Sequence, residues 1–246
     1  AVCANGITTI RNAAKEPEIV DLQNFLNAIG VNVSGAGTHV VRIEGSCKKL
    51  QDVEHRIIPD RIVAGTYLVA AGMTGGDILL RSVIPEHLIS IMYNLKEAGC
   101  RISANGEWVH IQGPLRPRSV DILRTLPYPG FPTDMQAQMV ALLTVARGTS
   151  IVVETVFENR YKHVEELLRM GANIKLEGRI AVIRGMKKLI GAEVNARDLR
   201  GGAALVISGL VAEGQTVIND VKHIDRGYER IEDKLQQLGA QIRREE

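Results

Sequence analysis

Apolar and polar residues alternate along the chain in a pattern that recurs four times. In each copy an amphipathic stretch typical of a helix runs up to a glycine, and a short strand-like run follows it. The four copies are FLNAIGVNVS (25–34), LKEAGCRIS (95–103), LLRMGANIKL (167–176) and LQQLGAQIRR (235–244). Their glycines, Gly30, Gly99, Gly171 and Gly239, are 69, 72 and 68 residues apart. Because glycine adopts left-handed conformations without a Cβ penalty, each glycine predicts a helix C-terminus.

A second glycine series lies upstream of the first and precedes strand-like runs. Its members are Gly6, Gly75, Gly148 and Gly214. Ahead of the last three lie stretches that are apolar on nearly all sides, which predicts buried helices over 65–73, 135–146 and 201–212. Segments 102–113 and 174–185 carry Asn-Gly and Glu-Gly in their centres and predict β-hairpins. One repeat is therefore strand, buried helix, strand, amphipathic helix, strand, strand.

Both ends of the chain fit this repeat incompletely. Residues 1–4 occupy the place where the other copies have the last turn of a buried helix, and the last copy has a strand at 241–243 but no second hairpin strand. We therefore expect the chain to be the C-terminal portion of a longer protein. The alternative is a natural domain that begins at Ala1 with a short first repeat, which would leave an exposed strand edge.

Composition narrows the class of protein. The chain has 246 residues, of which 45% are apolar and 24% are charged, and its net charge is +2. So small a bias does not indicate a nucleic acid or an anionic membrane as a partner, and no apolar run approaches the roughly 20 residues that span a bilayer. The three cysteines, Cys3, Cys47 and Cys100, form no CxxC pair, and we interpret them as structural. This usage favours a reducing cytoplasm.

Candidate anion chemistry lies at the predicted starts of the buried helices. Asp60, Asp134 and Asp198 stand there, and any one of them is explained equally well as a helix N-cap. Capping does not require Arg61 and Arg200, which stand close by. Prolines in the segment 125–138 stiffen the approach to Asp134, which suits a rigidly placed carboxylate.

Arginines also stand at the predicted starts of two amphipathic helices, where their charge opposes the helix dipole. These are Arg160 and Arg226. Grouped with Arg61 and Arg200 around one cleft, they would bind a small polyanionic substrate through bidentate contacts. The alternative is an internal salt-bridge network. Its acidic members would be Asp60, Asp198, Glu158 and Asp225.

Other catalytic signatures are absent from the sequence. The histidines lack metal-ligand spacing, and no HExxH motif or neighbouring cysteine supports a metal site. There is no Walker phosphate loop, and no GxGxxG follows a strand. We therefore expect no metal and no cofactor.

Six segments closely resemble one family of enzymes, the UDP-N-acetylglucosamine 1-carboxyvinyltransferases. They are FPTDMQAQ (131–138), ETVFENR (154–160), HIDRGYER (223–230), AKEPEIVD (14–21), PDR (59–61) and DLR (198–200). The resemblance implies an inside-out α/β barrel of two lobes, each with three βαβαββ repeats, and a substrate cleft between the lobes. It further implies that residues 1–58 are the last, incomplete repeat of one lobe. Residues 59–246 would be three repeats of the other lobe, without its final strand.

The resemblance also implies roles for individual residues. Asp134 matches the carboxylate that contacts the sugar 3-hydroxyl and acts as general base, and Val156 matches a position whose backbone contacts the nucleotide sugar. Arg226 and Arg200, with Asp198 beside them, match the phosphoenolpyruvate and phosphate side. Supporting polar residues of the cleft match Glu16, Arg61, Glu158 and Arg160.

The resemblance implies transfer of the enolpyruvyl group of phosphoenolpyruvate to the 3-hydroxyl of UDP-N-acetylglucosamine, with release of phosphate. This step opens peptidoglycan synthesis, and with it come cell-wall biogenesis, cell shape, cell division and a cytoplasmic location. The family's Lys-Asn pair, its loop with the reactive Cys and its uridine-binding segments have no counterpart here. We therefore expect this chain alone to be inactive, with an N-terminal portion as its partner. The alternatives are a 5-enolpyruvylshikimate-3-phosphate synthase-like transferase and a non-catalytic folding or binding fragment.

Overall fold

The computed structural model describes residues 1–45 and 50–245 of the chain. The chain divides into two compact units: Ala1–Pro59 with Pro127–Gly130, and Asp60–Leu126 with Phe131–Glu246. Cys47 lies outside the described residues, so our interpretation of it as structural stays a prediction.

The first unit pairs one helix with one antiparallel sheet. Helix α1 is Pro17–Ala28, and the strands are β1 (Gly6–Arg11), β2 (Asn32–Ser34) and β3 (Val40–Gly45). The sheet order is β1-β3-β2, so the third strand lies in the centre. A small core joins the sheet to the helix, because valine and isoleucine side chains of β2 and β3 pack beneath the C-terminal half of α1.

The second unit contains the remaining described elements. Its helices are α2 (Arg61–Thr74), α3 (Ile89–Glu97), α4 (Gln136–Val145), α5 (Lys162–Arg169), α6 (Leu199–Gly209), α7 (Lys222–Asp225) and α8 (Ile231–Gln237). Short 3-10 helices cover Pro85–Leu88 and Thr133–Met135. The strands are β4 (Asp77–Arg81), β5 (Arg101–Asn105), β6 (Trp108–Gln112), β7 (Ile122–Arg124), β8 (Thr149–Val153), β9 (Asn173–Glu177), β10 (Ile180–Arg184), β11 (Leu189–Ile190), β12 (Glu193–Asn195), β13 (Ala212–Glu213) and β14 (Val217–Asn219).

Element order in the second unit follows the predicted repeat. The β4-β6-β5 sheet is antiparallel, and in the β7-β8-β10-β9 sheet only the β7–β8 pair is parallel. The pairs β11–β13 and β12–β14 are parallel. One full copy, β7-α4-β8-α5-β9-β10, thus has the element order strand, buried helix, strand, amphipathic helix, strand, strand.

The three predicted buried helices form the centre of this unit. Helices α2, α4 and α6 contact one another, and every residue of α4 is buried. The strands lie outside them and turn alternate residues to solvent, as in β10. Helix α6 ends at Gly209, three residues earlier than predicted, because Ala212 enters β13 and pairs with Leu189.

The glycine predictions are confirmed. All eight glycines of the two series have positive φ, between 72° and 110°. Both hairpins are also confirmed, because Asn105 pairs with Trp108 and Glu177 pairs with Ile180 across two-residue loops. Each loop begins with a glycine at positive φ, which the tight turn requires.

The predicted strand at 241–243 is wrong. No strand forms there, because no other described strand pairs with this segment. Instead Arg244 bonds to Asp225 at 2.6 Å and to Glu232 at 2.8 Å, which holds the end of the described chain beside α7 and α8.

Close packing at the start of α6 predicts the effect of one substitution. A Cβ added at Gly202 would lie 2.6 Å from Ile224 Cγ1 and 3.0 Å from Ala196 Cβ. We therefore expect Gly202→Ala to lower the free energy of unfolding by about 1–3 kcal/mol, measured by urea denaturation. Gly209→Ala, on the same helix, meets Thr216 only at 3.4 Å and serves as the control. Equal stability of both variants would contradict the packing explanation.

Candidate functional site

The three aspartates at the starts of the buried helices differ in what their side chains do. Asp60 accepts hydrogen bonds from the amides of Ile62 and Val63, and Asp198 accepts one from Gly201, so both cap their helices. Asp134 lies in the 3-10 turn ahead of α4 and caps nothing. Its carboxylate is the one left for other chemistry.

Two arginines bind the Asp134 carboxylate, one on each oxygen. Arg160 Nη2 donates to Oδ1 at 2.6 Å, and Arg200 donates to Oδ2 from Nε at 3.2 Å and from Nη2 at 3.1 Å. The Asp134 side chain is 39% exposed, whereas those of Arg160 and Arg200 are 20% and 14% exposed. The cluster is thus open to solvent on the carboxylate side. The predicted alternative of a salt-bridge network did not include Asp134 among its acidic members, so it was wrong about the partner of these two arginines.

The electrostatic state of this cluster follows from burial and charge. Burial raises the pKa of Asp134, but the charges and hydrogen bonds of Arg200 and Arg160 outweigh it, so the net pKa lies below the usual value. Burial lowers the pKa of Arg200, but Tyr228 and Asp134 reverse this and raise it. Both groups are therefore charged at neutral pH, and the carboxylate is a weak base while the arginines hold it.

A buried polar network supports Arg200 from beneath. Its guanidinium lies over the Tyr228 ring, 5.6 Å from the centroid, and Nη1 donates to the Tyr228 hydroxyl at 3.4 Å. That hydroxyl is 2.8 Å from Thr66 Oγ1, and Gln138 Nε2 donates to both oxygens. Sequence reasoning did not single out these three supporting residues. For Thr66 and Gln138 the available signal was a polar side chain inside a helix, α2 or α4, that is otherwise largely apolar.

The segment after β8 brings Val156 and Arg160 to the same unit as Asp134. Arg160 lies over the Phe157 ring, with 4.7 Å from its guanidinium carbon to the centroid. The Val156 amide donates to Glu154 Oε1 at 2.8 Å. Among the described residues no hydrogen bond reaches the Val156 carbonyl, so that oxygen is free to accept one.

The remaining candidate residues have other local surroundings. Glu158 pairs with Arg179 at 3.1 Å on the surface, and Arg61 is buried in the first turn of α2. Asp198 serves as the cap of α6. Glu16 belongs to the first unit, where its Oε2 is buried and accepts no hydrogen bond from the described residues.

The prediction that Arg226 stands at the start of a helix is wrong. Arg226 follows the last residue of α7 and is not at the start of a helix, so its charge favours the dipole there and does not oppose it. The side chain is exposed and makes no hydrogen bond or ion pair with the described part of the chain. The sequence predicted one helix that starts at Arg226, but α7 ends before this residue and α8 begins only at Ile231.

The buried histidine His163 predicts a pH effect on stability. Burial lowers the pKa of His163 to about 4; the charge of Asp198 opposes the shift and the charge of Arg160 adds to it. The unfolded chain takes up this proton near pH 6.5, whereas the folded protein does so only near pH 4. We therefore expect the free energy of unfolding to fall by about 3 kcal/mol between these values as the pH decreases.

Urea denaturation at a series of pH values measures this effect. His163→Leu should lose the part of the pH dependence between pH 6.5 and 4, and His110→Leu, which removes a surface histidine that hydrogen-bonds to Asp77, is the control. An unchanged pH profile in His163→Leu would contradict the assignment.

The other sequence expectations concern thiols, metals and membranes. Cys100 is buried, which raises the pKa of its thiol to about 11 and makes it unreactive. Cys3 is exposed. In residues 1–45 and 50–245 no group of three His, Cys, Asp or Glu side chains could hold a metal ion. No helix in the described part of the chain is both long and apolar enough to span a bilayer.

Comparison with known proteins places the chain in a family. The model of the family described as EPSP synthase (3-phosphoshikimate 1-carboxyvinyltransferase) matches residues 1–235. The chain therefore belongs to this family of enolpyruvyl transferases.

Two curated relatives narrow the resemblance within the family. UDP-N-acetylglucosamine 1-carboxyvinyltransferase 1 of Caldanaerobacter subterraneus subsp. tengcongensis is 59% identical over 99% of this chain and 58% of its own length. The enzyme of the same name from Symbiobacterium thermophilum is 56% identical over 99% of this chain and 55% of its own. The similarity predicted from the motifs is confirmed. The chain spans somewhat more than half the length of these relatives.

Solved structures share the fold at low sequence identity. The enolpyruvyl transferase NikO from Streptomyces tendae has a TM-score of 0.85 at 23% identity, over 98% of this chain and 57% of NikO. EPSP synthase from Acinetobacter baumannii has a TM-score of 0.72 at 19% identity, over 99% of this chain and 59% of the synthase. The predicted mixed α/β fold of enolpyruvyl transferases is confirmed.

Proposed function

We propose that this chain carries part of the active site of a UDP-N-acetylglucosamine 1-carboxyvinyltransferase. In the reaction a bond forms between the sugar 3-oxygen and C2 of the enolpyruvyl group, and the bond from that carbon to the phosphate oxygen breaks. The observation that carries the proposal is the solvent-open carboxylate of Asp134 between Arg160 and Arg200. It combines a proton acceptor with cations for an anionic donor. The names of the relatives at 56–59% identity support the same acceptor sugar.

The role of each residue follows from this reaction. Asp134 takes the proton of the sugar 3-hydroxyl, and the Val156 backbone contacts the nucleotide sugar. Arg200 and Arg226, with Asp198 beside them, take the phosphoenolpyruvate and phosphate side. Supporting polar residues of the cleft are Glu16, Arg61, Glu158 and Arg160.

A base held by two arginines must be released before it acts. Asp134 has a lowered pKa as long as Arg200 and Arg160 bind its oxygens. The phosphate and carboxylate of phosphoenolpyruvate compete for the same planar guanidinium donors. When Arg200 turns to the donor, the carboxylate loses its strongest partner and its pKa rises toward the range of a general base. Donor binding and base activation are coupled in this way.

The finer architecture is part of the same proposal. The chain is one portion of an inside-out α/β barrel, with residues 1–58 as the last repeat of one lobe and 59–246 as the other lobe. Support comes from the buried centre of α2, α4 and α6 and from the share of the relatives' length that the chain spans. An N-terminal portion supplies the opposite wall of the cleft. The protein acts in cytoplasmic peptidoglycan synthesis, and so in cell shape and division, without a cofactor.

A second candidate acceptor is shikimate 3-phosphate. The description of the matching family model and the similarity to EPSP synthase from Acinetobacter baumannii favour it. Sequence identity weighs against it, because that synthase is 19% identical and the aminosugar relatives are 56–59% identical.

Phosphate release distinguishes the acceptors. Phosphoenolpyruvate is supplied with either UDP-N-acetylglucosamine or shikimate 3-phosphate, to the 246-residue chain and to the product of its complete reading frame. We expect turnover only with the aminosugar nucleotide and only with the complete product. Turnover with shikimate 3-phosphate would reject the proposed acceptor. Turnover by the 246-residue chain alone would reject the two-portion architecture.

A further inference from the structure

Glu154 is a buried carboxylate that the functional roles above leave unused. Its side chain follows β8 and is 1% exposed. Oε1 accepts hydrogen bonds from the Thr125 hydroxyl at 2.9 Å and from the amides of Val156 and Phe157 at 2.8 and 3.2 Å. Oε2 accepts one from the Thr133 hydroxyl at 2.8 Å. Four donors from three separate segments thus converge on one carboxylate.

The donors at this position select a carboxylate over its closest isostere. An ionised carboxylate only accepts hydrogen bonds, so both its oxygens suit donors. A glutamine with its oxygen toward the two backbone amides would turn its NH₂ group toward the Thr133 hydroxyl, which must then accept a hydrogen bond and can no longer donate one to residue 154. The neutral glutamine also loses the charge that makes the hydrogen bonds to a carboxylate about twice as strong as neutral ones. Glu154 therefore organises its neighbours in a way that a glutamine at the same position would not.

The contacts of Glu154 close a ring of interactions around the candidate base. Thr133 is the residue before Asp134, and Phe157 lies beneath Arg160, which binds Asp134 at 2.6 Å. Glu154 joins the two ends of this ring. Glu154 also accepts a hydrogen bond from the Val156 amide, which fixes this residue beside the ring. The Val156 carbonyl receives no hydrogen bond from the described residues.

We propose that Glu154 is a positioning residue for the acceptor, which fixes the Val156–Phe157 backbone at a set distance from Asp134. It touches no substrate. It acts through Val156, whose carbonyl bonds to the nucleotide sugar, and through Thr133, which places the base. This inference rests on the proposed function, because it assigns the Val156 segment to the acceptor.

The complete enzyme provides the test, with Glu154→Gln and a matched control. Glu166 is also fully buried, but it bonds to the amide of Asn195 and to Arg197, away from the Val156 segment. We expect Glu154→Gln to raise the KM for UDP-N-acetylglucosamine about tenfold and to leave the KM for phosphoenolpyruvate within about twofold. Amide exchange at Val156 and Phe157, measured by NMR, should also accelerate about tenfold. Glu166→Gln should do neither.

A milder substitution covers the case in which Glu154→Gln fails to fold. Thr133→Val removes only one of the four donors and should raise the acceptor KM about threefold. Thr144→Val is its control, because among the described residues that buried hydroxyl bonds only to the Ala141 carbonyl within α4.

The outcomes separate this inference from the function on which it rests. Active wild-type enzyme whose acceptor KM is unchanged in Glu154→Gln, or in Thr133→Val where the first variant does not fold, overturns the positioning role alone. An equal rise in both KM values would indicate general damage and overturn it too. Wild-type enzyme that transfers nothing to UDP-N-acetylglucosamine overturns the proposed function and the inference with it.

Discussion

Replacing Asp134 with asparagine in the complete enzyme should lower kcat by about 10²–10⁴-fold and leave the KM for UDP-N-acetylglucosamine within a few-fold. Asparagine keeps the size of the side chain but has one acceptor oxygen, so it keeps the hydrogen bonds of only one of the two arginines, Arg160 or Arg200, and turns an NH₂ group toward the other. It also loses the ability to take the hydroxyl proton. Steady-state kinetics with both substrates measure the effect.

The control for this variant is Asp60→Asn. Asp60 is also an aspartate at the start of a buried helix, but its carboxylate caps α2 through the amides of Ile62 and Val63. Its replacement should change stability little, because asparagine caps a helix about as well as aspartate, and should leave kcat within about twofold. If Asp134→Asn retained the wild-type kcat, Asp134 would not be the base.

Arg200→Ala should raise the KM for phosphoenolpyruvate about 10–100-fold, and the KM for the nucleotide sugar much less. A charge-assisted contact to phosphate or carboxylate is typically worth about 1.5–3 kcal/mol, which corresponds to this range. Arg200→Lys should recover only part of the loss, because lysine lacks the planar fork that binds Asp134 through two nitrogens. Arg226→Ala should show the same preference for the donor with less effect on stability, since its side chain is exposed.

Arg169→Ala controls for the general loss of an arginine, because Arg169 is 60% exposed on α5 and pairs only with Glu166 within the described residues. Equal increases in both KM values for Arg200→Ala would indicate a structural network in place of a donor site.

Local pattern predicted those parts of the fold that depend on short stretches of chain. A glycine at a helix end and a two-residue hairpin depend on residues within a few positions of each other, so Gly99 and Gly178 could be interpreted correctly from the sequence. The strand at 241–243 could not, because a strand requires a pairing partner that the pattern does not supply.

The candidate site depends on contacts between residues that are distant in the sequence, and a local pattern does not predict such contacts. Arg200 is 66 positions from Asp134, and Thr66 is 162 positions from Tyr228, so neither contact leaves a local signature. The resemblance made Asp134 and Arg200 candidate site residues, but it did not predict that they bind each other. Glu154 was overlooked for the same reason, because the hydroxyl groups it accepts from lie 21 and 29 positions away.

The central claim is that the enolpyruvyl group moves to the sugar 3-hydroxyl with Asp134 as the base. Phosphoenolpyruvate labelled with ¹³C at C2, incubated with UDP-N-acetylglucosamine and the complete enzyme, tests it by NMR of the product. We predict coupling between the labelled carbon and the proton on sugar C3, together with one phosphate released per product, and no such product at equal times with Asp134→Asn. A label that stays in phosphoenolpyruvate with the wild-type enzyme, or that appears on another oxygen, would contradict the account.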